Sequence, residues 1–527
     1  MSVIAMLSRV SLLAVALAAL ALPRPAAAEA LGPRARGDAP VADAPAKEGA
    51  APSSTAEPGT RGPESLAIAG AAPGGAAAAS DAGGAGAACS AGASSSQTSL
   101  APDLAARPQR RGPLPQGHLV PAIETALVTG VMLAWNASIG AAPWAQINED
   151  TIGRNLRSNW VLDDDAFWVN QVGHPYQGIF PYSAARSAGL GFWSSTAYPF
   201  VASAVWEYVG ETTPPSINDQ ITTSIAGVVL GEALHRISGM ILEGARSPGR
   251  VVAATLVAPM EAVNRALVGT EPAGPAPPSR AELFVGALTF DPDRGTPGRE
   301  RVVPEIGARL SYGLPGDRRF RFGRPFDHFE FEATYSTEKD PIATAFARGV
   351  VAGRTFEGER VRGLAGLALQ FDFSALRRYR ISTSAVGLSA EGRWEASPRV
   401  ALEGAATASA VLLGAAGYLT GRPDELRDYR LGPGGQAHLE VRLLALDRIA
   451  ARLYARQYLV VGAGAIHGLE RVSNVGGALQ VRVLGPHALG VEGLLAHHSG
   501  EAGAGAPARS ETGTELRAYY AFRIGTW

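Results

Sequence analysis

Between Asn159 and Gly244, charged side chains stand singly among glycines, aromatics and aliphatics: His174, Arg186, Glu207, Glu211, Asp219, Glu232 and His235. A lone charge in apolar surroundings is costly unless it is paired or hydrogen-bonded, so these residues either lock helices together or form a site. Glu232 and His235 have the i,i+3 spacing of half a di-metal carboxylate site, to which Glu207 and Glu211 could add oxygens, although no second Glu-x-x-His lies nearby. His174 could activate Ser194, Ser195 or Ser203, with Asp163, Asp164, Asp165 or Asp219 orienting the imidazole, but the chain offers no G-x-S-x-G elbow. The helices could instead fill a barrel lumen, their charges meeting lumen-facing Glu330, Glu332, His438, Glu440 and Arg442. In the last arrangement His174 and Arg186 neutralise Glu207, Glu211 and Glu232 in a network that fixes helix packing, while Asp219 caps a helix. This structural role is the expectation for most of them, because isolated charges are more often satisfied structurally than catalytic. No cofactor is expected.

The elements that must carry these residues read as helices. LVPAIETALVTGVMLAWNASIG, from Leu119 to Gly140, is apolar but contains Glu124 and Asn136, which predicts a helix buried inside protein. Glycines and a proline around His174 suggest a loop there, and residues 183–209 one or two closely packed helices. Glu207 and Glu211, four apart, share a helix face and repel unless something cationic sits between them. Pro214 and Pro215 end that helix, Ser216 is a natural N-cap, and Asp219 takes the N3 place of a capping box. The next helix is predicted from Ile217 to about Glu243, with Glu232 and Arg236 set for an i,i+4 ion pair. A final helical stretch closes at Gly269, and the proline-rich run from Pro272 to Pro278 marks a boundary.

Beyond residue 280 the periodicity changes to two. HFEFEATY sets Phe329, Phe331, Ala333 and Tyr335 against Glu330 and Glu332; GLALQFDF, AHLEVRL and ALQVRV repeat the theme. Such strands recur to the end, separated by turns rich in glycine, proline, aspartate and arginine. Residues 281–527 would hold about 10–12 membrane strands, and closure removes edges that would leave backbone unpaired in lipid. The last strand ends on an aromatic, Trp527, although this residue is out of phase with Tyr520, Phe522 and Ile524.

The N-terminus has the pattern of a secretory signal over residues 1–28: Arg9, an apolar run from Ser11 to Leu22, and Ala26-Ala27-Ala28. Residues 29–117 are rich in Ala, Gly, Pro and Ser, too poor in large apolar side chains to offset ordering entropy, and read as a disordered tether. The single cysteine, Cys89, falls in that tract, so neither a disulfide framework nor a thiolate metal site is available. With 47 Lys+Arg against 48 Asp+Glu, no nucleic-acid footprint is present.

The run N-x-x-G-H-P-x-x-G from Asn170, W-E-Y-x-x-E from Trp206, P-S-x-N-D from Pro215 and Gly231-Glu232 resembles an uncharacterised domain family of Gram-negative exported proteins. The resemblance covers roughly residues 119–269 and implies a barrel-like region after the domain; it implies no activity. The expected architecture is therefore α+β: a helical domain over residues 118–270, then an antiparallel transmembrane β-barrel over 281–527, in the outer membrane. The expected role is structural or transport-type, with the helices plugging the barrel or capping its periplasmic mouth. Its partners would be outer-membrane lipid and a small solute or lipid ligand. The alternative is a lipid-modifying hydrolase or transferase using His174, a carboxylate and a serine.

Overall fold

A computed structural model describes residues 117–244, 247–270, 276–290, 301–336, 342–376, 379–418, 427–464, 466–501 and 508–525. The expected signal sequence and tether, with Cys89, and Trp527 lie outside these residues. The period-two segments form β1 (Arg280–Phe290), β2 (Arg301–Tyr312), β3 (Phe329–Ser336), β4 (Ile342–Glu357), β5 (Val361–Leu376) and β6 (Tyr379–Ser397). They continue as β7 (Val400–Tyr418), β8 (Arg430–Ala445), β9 (Ile449–Gly462), β10 (Gly468–Leu484), β11 (His487–Gly500) and β12 (Arg509–Gly525). Each strand pairs antiparallel with its sequence neighbours, and β1 pairs with β12 to close a twelve-strand barrel.

Alternation assigns the two faces of the wall. Glu332 on β3 and Gln370 and Asp372 on β5 point inward, as do Glu440 and Arg452 on the far side. Guanidinium–carboxylate pairs cross-link this lumen: Arg309 donates to Glu492 at 2.6 Å, Arg452 to Glu440 at 2.8 Å, and Arg280 to both oxygens of Glu403 at 2.9 and 2.8 Å. What remains is a cavity of about 120 Å³. Most outward positions are apolar, and on most of the circumference they are open: Leu283 is 54% exposed, Leu388 70% and Leu453 68%.

On one side of the barrel the outward face is covered. Phe371 and Phe373 of β5, Leu413 of β7 and Leu431 of β8 are between 1% and 4% exposed, and they share a core with helical residues Phe167, Val228 and Val229. Outward-facing Arg380, Ser382 and Ser384 of β6 are buried in the same place. The helical domain therefore packs on the outside of the wall. This corrects the lumen plug: Glu330, Glu332, His438, Glu440 and Arg442 do face the lumen, but their partners are barrel side chains such as Arg348, Arg309 and Arg452.

The domain's elements are α1 (Leu119–Ser138), α2 (Glu149–Asn155), α3 (His174–Ser187), α4 (Phe192–Val205), α5 (Ile217–Ile221), α6 (Gly227–Leu242), α7 (Pro248–Val257) and α8 (Pro259–Val268). Wide π turns at Val169–Gly173, Trp206–Gly210 and Thr222–Ala226 extend α3 and α4 and join α5 to α6 into one 26-residue helix. Helices α3 and α6 run parallel, with Tyr182 and Arg186 beside Gly231 and Glu232. Their backbones touch at Gly178 and Gly227, where a Cβ on Gly178 would sit 1.9 Å from the Thr223 carbonyl oxygen. Such small-residue contacts let apolar helices associate by close packing, as membrane helices do. At the C-terminus of α8, Gly269 adopts φ +68°, the left-handed cap that glycine accepts without a Cβ clash.

Two sequence expectations change here. Helix α1 is not interior: it is apolar along its length yet little of it is buried, and Leu119, Ile123 and Leu127 are exposed. Pro121 and Glu124 turn inward, and Glu124 accepts a hydrogen bond from Asn264 at 3.0 Å. The segment around His174 is helix rather than loop: the π turn Val169–Gly173 runs without a break into α3, and the His174 N–H bonds the Val169 carbonyl. Together α7 and α8 form an apolar helix pair bent by 119°, with the length and composition of a broken span or re-entrant loop.

Candidate functional site

The polar residues singled out in the sequence divide into two clusters along the α3–α6 contact. In the first, Glu232 is fully buried and accepts from Arg186 Nε (2.6 Å) and Nη2 (3.1 Å), Arg236 Nε (2.9 Å) and the Tyr182 hydroxyl (2.7 Å). Arg236 continues to Asp327 (3.0 Å) and the Pro325 carbonyl (2.6 Å) in the β2–β3 connection, tying the bundle to the barrel. The expected i,i+4 pair is present and Arg186 does neutralise Glu232, but it is not a partner of Glu207 or Glu211. Glu232 and His235 do not form half a metal site: the carboxylate is occupied by two guanidiniums, and the His235 ring bonds Glu261 instead.

The second cluster is assembled by the π turns. His174 follows the first, Glu207 sits within the second, and Thr223 lies in the third, just after Asp219. Each extra residue in a π turn rotates the following side chains, and such turns concentrate at functional sites. His174 Nδ1 lies 3.2 Å from Thr223 Oγ1 and its Nε2 lies 3.4 Å from Asp219 Oδ1. Glu207 Oε2 accepts the Ser216 N–H at 2.8 Å, while Glu207 Oε1 is buried with no hydrogen-bond partner. Ser216 caps α5 as expected, by accepting the Asp219 N–H at 3.2 Å, but Glu207 supplies the reciprocal bond that Asp219 was expected to make.

Asp163 joins from the loop before α3, accepting from Asn170 Nδ2 at 2.7 Å and Asn218 Nδ2 at 2.9 Å. Burial alone would push its pKa up; contacts with Asp219, Asn218 and Asn170 outweigh it and hold the carboxyl down to about 2. The Asp163–Asp219 contact needs a shared proton or a cation between the two carboxyls. Glu211 stands apart, accepting from Trp206 Nε1 at 2.6 Å and the Thr213 hydroxyl at 3.0 Å; among the described residues neither Glu207 nor Glu211 has a basic side chain as an ion-pair partner. Barrel side chains back the cluster: Asn170 also donates to the Tyr429 hydroxyl at 3.0 Å, and Arg380 lies 4.8 Å over the Phe167 ring.

Thr223, Asn170, Asn218 and Tyr182 were not anticipated as members. Both asparagines lie within the sequence runs that stood out, in N-x-x-G-H-P and P-S-x-N-D, so their amides were legible as buried polar groups needing partners. The serines proposed as nucleophiles do not appear among the hydrogen-bond partners of His174 in the described residues; its hydroxyl neighbour is Thr223.

Residues 159–261 match DUF3943, a domain of unknown function. The DUF3943 segment carries both clusters, while α1 and the barrel lie outside it. No curated protein matches the chain. Solved structures similar to it include the KdgM porin, 9% identical with a TM-score of 0.21 over 45% of this chain and 98% of that one. Another is the outer membrane channel DcaP of Acinetobacter baumannii, 10% identical, TM-score 0.23, over 46% and 96% of the two chains. The CymD monoaromatic hydrocarbon channel is 9% identical, TM-score 0.22, over 48% and 89%.

Proposed function

We propose that this is an outer-membrane protein with an envelope structural role, in which the barrel serves as the anchored wall for a lipid-embedded helical DUF3943 bundle. The supporting observation is the covered sector of the outer wall. Arg380, Ser382 and Ser384 point away from the lumen yet are at most 1% exposed beneath the helices, whereas outward side chains on the open wall, such as Leu388, Leu453 and Leu489, are exposed and apolar. The bundle's other side is apolar too, with Trp193 63%, Val201 62% and Leu256 65% exposed, as a lipid-facing surface requires. Charge pairs filling the lumen argue against passive solute transport. The test is single-channel recording on the purified chain in planar bilayers, with fractionation to locate it: outer-membrane recovery and no porin-like conductance are expected. Stable stepwise conductance would return the transport role.

A second reading, lipid modification at His174, is favoured by one observation: an imidazole, Asp219 and a hydroxyl converge within a bundle that faces lipid. Its hydroxyl is Thr223 rather than a serine. Altered outer-membrane lipid after His174→Ala, with the barrel still folded, would support it; an unchanged lipid profile would remove it.

A further inference from the structure

We infer that His174, Glu207 and Asp219 hold one divalent first-row transition-metal ion, such as Zn²⁺ or Mn²⁺. One ligand atom from each lies within 4.8 Å of the other two, and all three residues are buried. The donor set is one imidazole nitrogen and two carboxylates without thiolate, which suits these ions better than Cu⁺ or an iron–sulfur cluster.

Three details separate this cluster from an ordinary network of buried acids. The 3.4 Å between His174 Nε2 and Asp219 Oδ1 is long for a charge-assisted hydrogen bond, which is about 2.7–2.9 Å. It equals the edge of a tetrahedron whose donors stand about 2.1 Å from a central ion. Next, each donor is oriented from behind: Thr223 Oγ1 meets the other ring nitrogen, so that Nδ1–H can donate and Nε2 presents its lone pair to the carboxylates, the Ser216 N–H fixes Glu207 Oε2, and Asn218 Nδ2 donates to Asp219 Oδ1 at 3.0 Å. Partners of this kind are what set the tautomer and angle of metal ligands. Finally, Glu207 Oε1 is buried without a hydrogen-bond partner although the residue is 1% exposed, an expensive arrangement for a carboxylate in low dielectric unless a cation meets it. Three protein ligands leave one tetrahedral position for a water or substrate oxygen, the count found in catalytic rather than structural zinc sites.

The test uses the full chain in detergent, stripped with chelator and given Zn²⁺ or Mn²⁺ singly. Bound metal is counted by inductively coupled plasma mass spectrometry after gel filtration. About one equivalent of one ion is expected, as for a single mononuclear site. Glu207→Gln and His174→Ala should each lower occupancy at least about ten-fold, while His235→Gln, at the other cluster, should retain it. Heat-modifiable gel migration checks that each variant's barrel has folded. Should the variants fail to fold, the unaltered chain still decides: its bundle should melt lower after chelation and recover on addition of the ion. Absence of binding by the unaltered chain overturns the inference, as does binding unchanged by Glu207→Gln or a melting temperature indifferent to chelation; the carboxyls then share a proton. None of these readouts depends on whether the barrel conducts.

Discussion

Glu232→Gln removes one charge from a buried set of three. Its carboxylate collects four hydrogen bonds, from Arg186, Arg236 and Tyr182, and is fully buried. The amide is nearly isosteric, so the change isolates charge from shape. It leaves Arg186 and Arg236 without their shared counterion, with side chains only 16% and 9% exposed, and presents an N–H₂ group to guanidiniums that can only donate. Breaking a buried pair by removing one partner costs about 3–5 kcal/mol. For a domain near 150 residues each kcal/mol lowers the melting temperature by about 2–4 °C, so a fall of roughly 6–20 °C is expected. Tryptophan fluorescence during heating in detergent would measure it, because Trp144, Trp160, Trp168, Trp193 and Trp206 all lie in the helical part. Since Arg236 also reaches Asp327 and Pro325, proteolysis of the bundle should become easier while the barrel keeps its heat-modifiable migration. A melting curve superimposable on that of the unaltered chain would refute the idea that this charge cluster holds the helices.

Gly178→Leu places atoms where the Thr223 carbonyl lies 1.9 Å from the Cβ position, and should destabilise the bundle by about 1–3 kcal/mol or more; the same thermal melt reads it. Leu388→Arg, on the open wall, should hinder insertion by up to about 2–4 kcal/mol if the position lies near the bilayer midplane. Measured by folding yield into vesicles, that loss should exceed the effect of Arg380→Leu, because Arg380 is covered by protein. In the lumen, Arg309→Ala combined with Arg452→Ala removes the cross-links to Glu492 and Glu440, and conductance in planar bilayers should rise above that of the unaltered chain.

The barrel was legible because period-two alternation is a local signal: Phe371 and Phe373 against Gln370 and Asp372 already gave both faces of β5. Alternation could not say what lies beyond the outer face, since lipid and an apolar helix both accept phenylalanine. Only β6 carried the clue, in Arg380, Ser382 and Ser384 at positions that the register turns away from the lumen. A similar limit applied to α1, where Glu124 and Asn136 implied a protein interior but Glu124 needed only one partner, and Asn136 bonds the Met132 carbonyl of its own helix. Among the polar residues, sequence spacing found the Glu232–Arg236 pair, which is local. It could not separate His174 and Asp219 from Arg186 and Glu232, because which groups meet depends on the parallel register of α3 and α6. The π turns that shift that register leave no strong mark in the sequence.

The covered sector is centred on β4 to β7 and extends to Leu431 of β8 and to Tyr312 and Phe329 of β2 and β3, while β1 joins β12 away from that centre. The docking surface for the bundle is therefore made of consecutive hairpins, whose contacts are close in sequence, while the closing seam joins the two ends of the barrel. Most bundle contacts and the seam therefore fall on different strands. The helices can settle against β4–β7 before or after the last edge is sealed, so a fault in helix packing need not prevent the cylinder from forming.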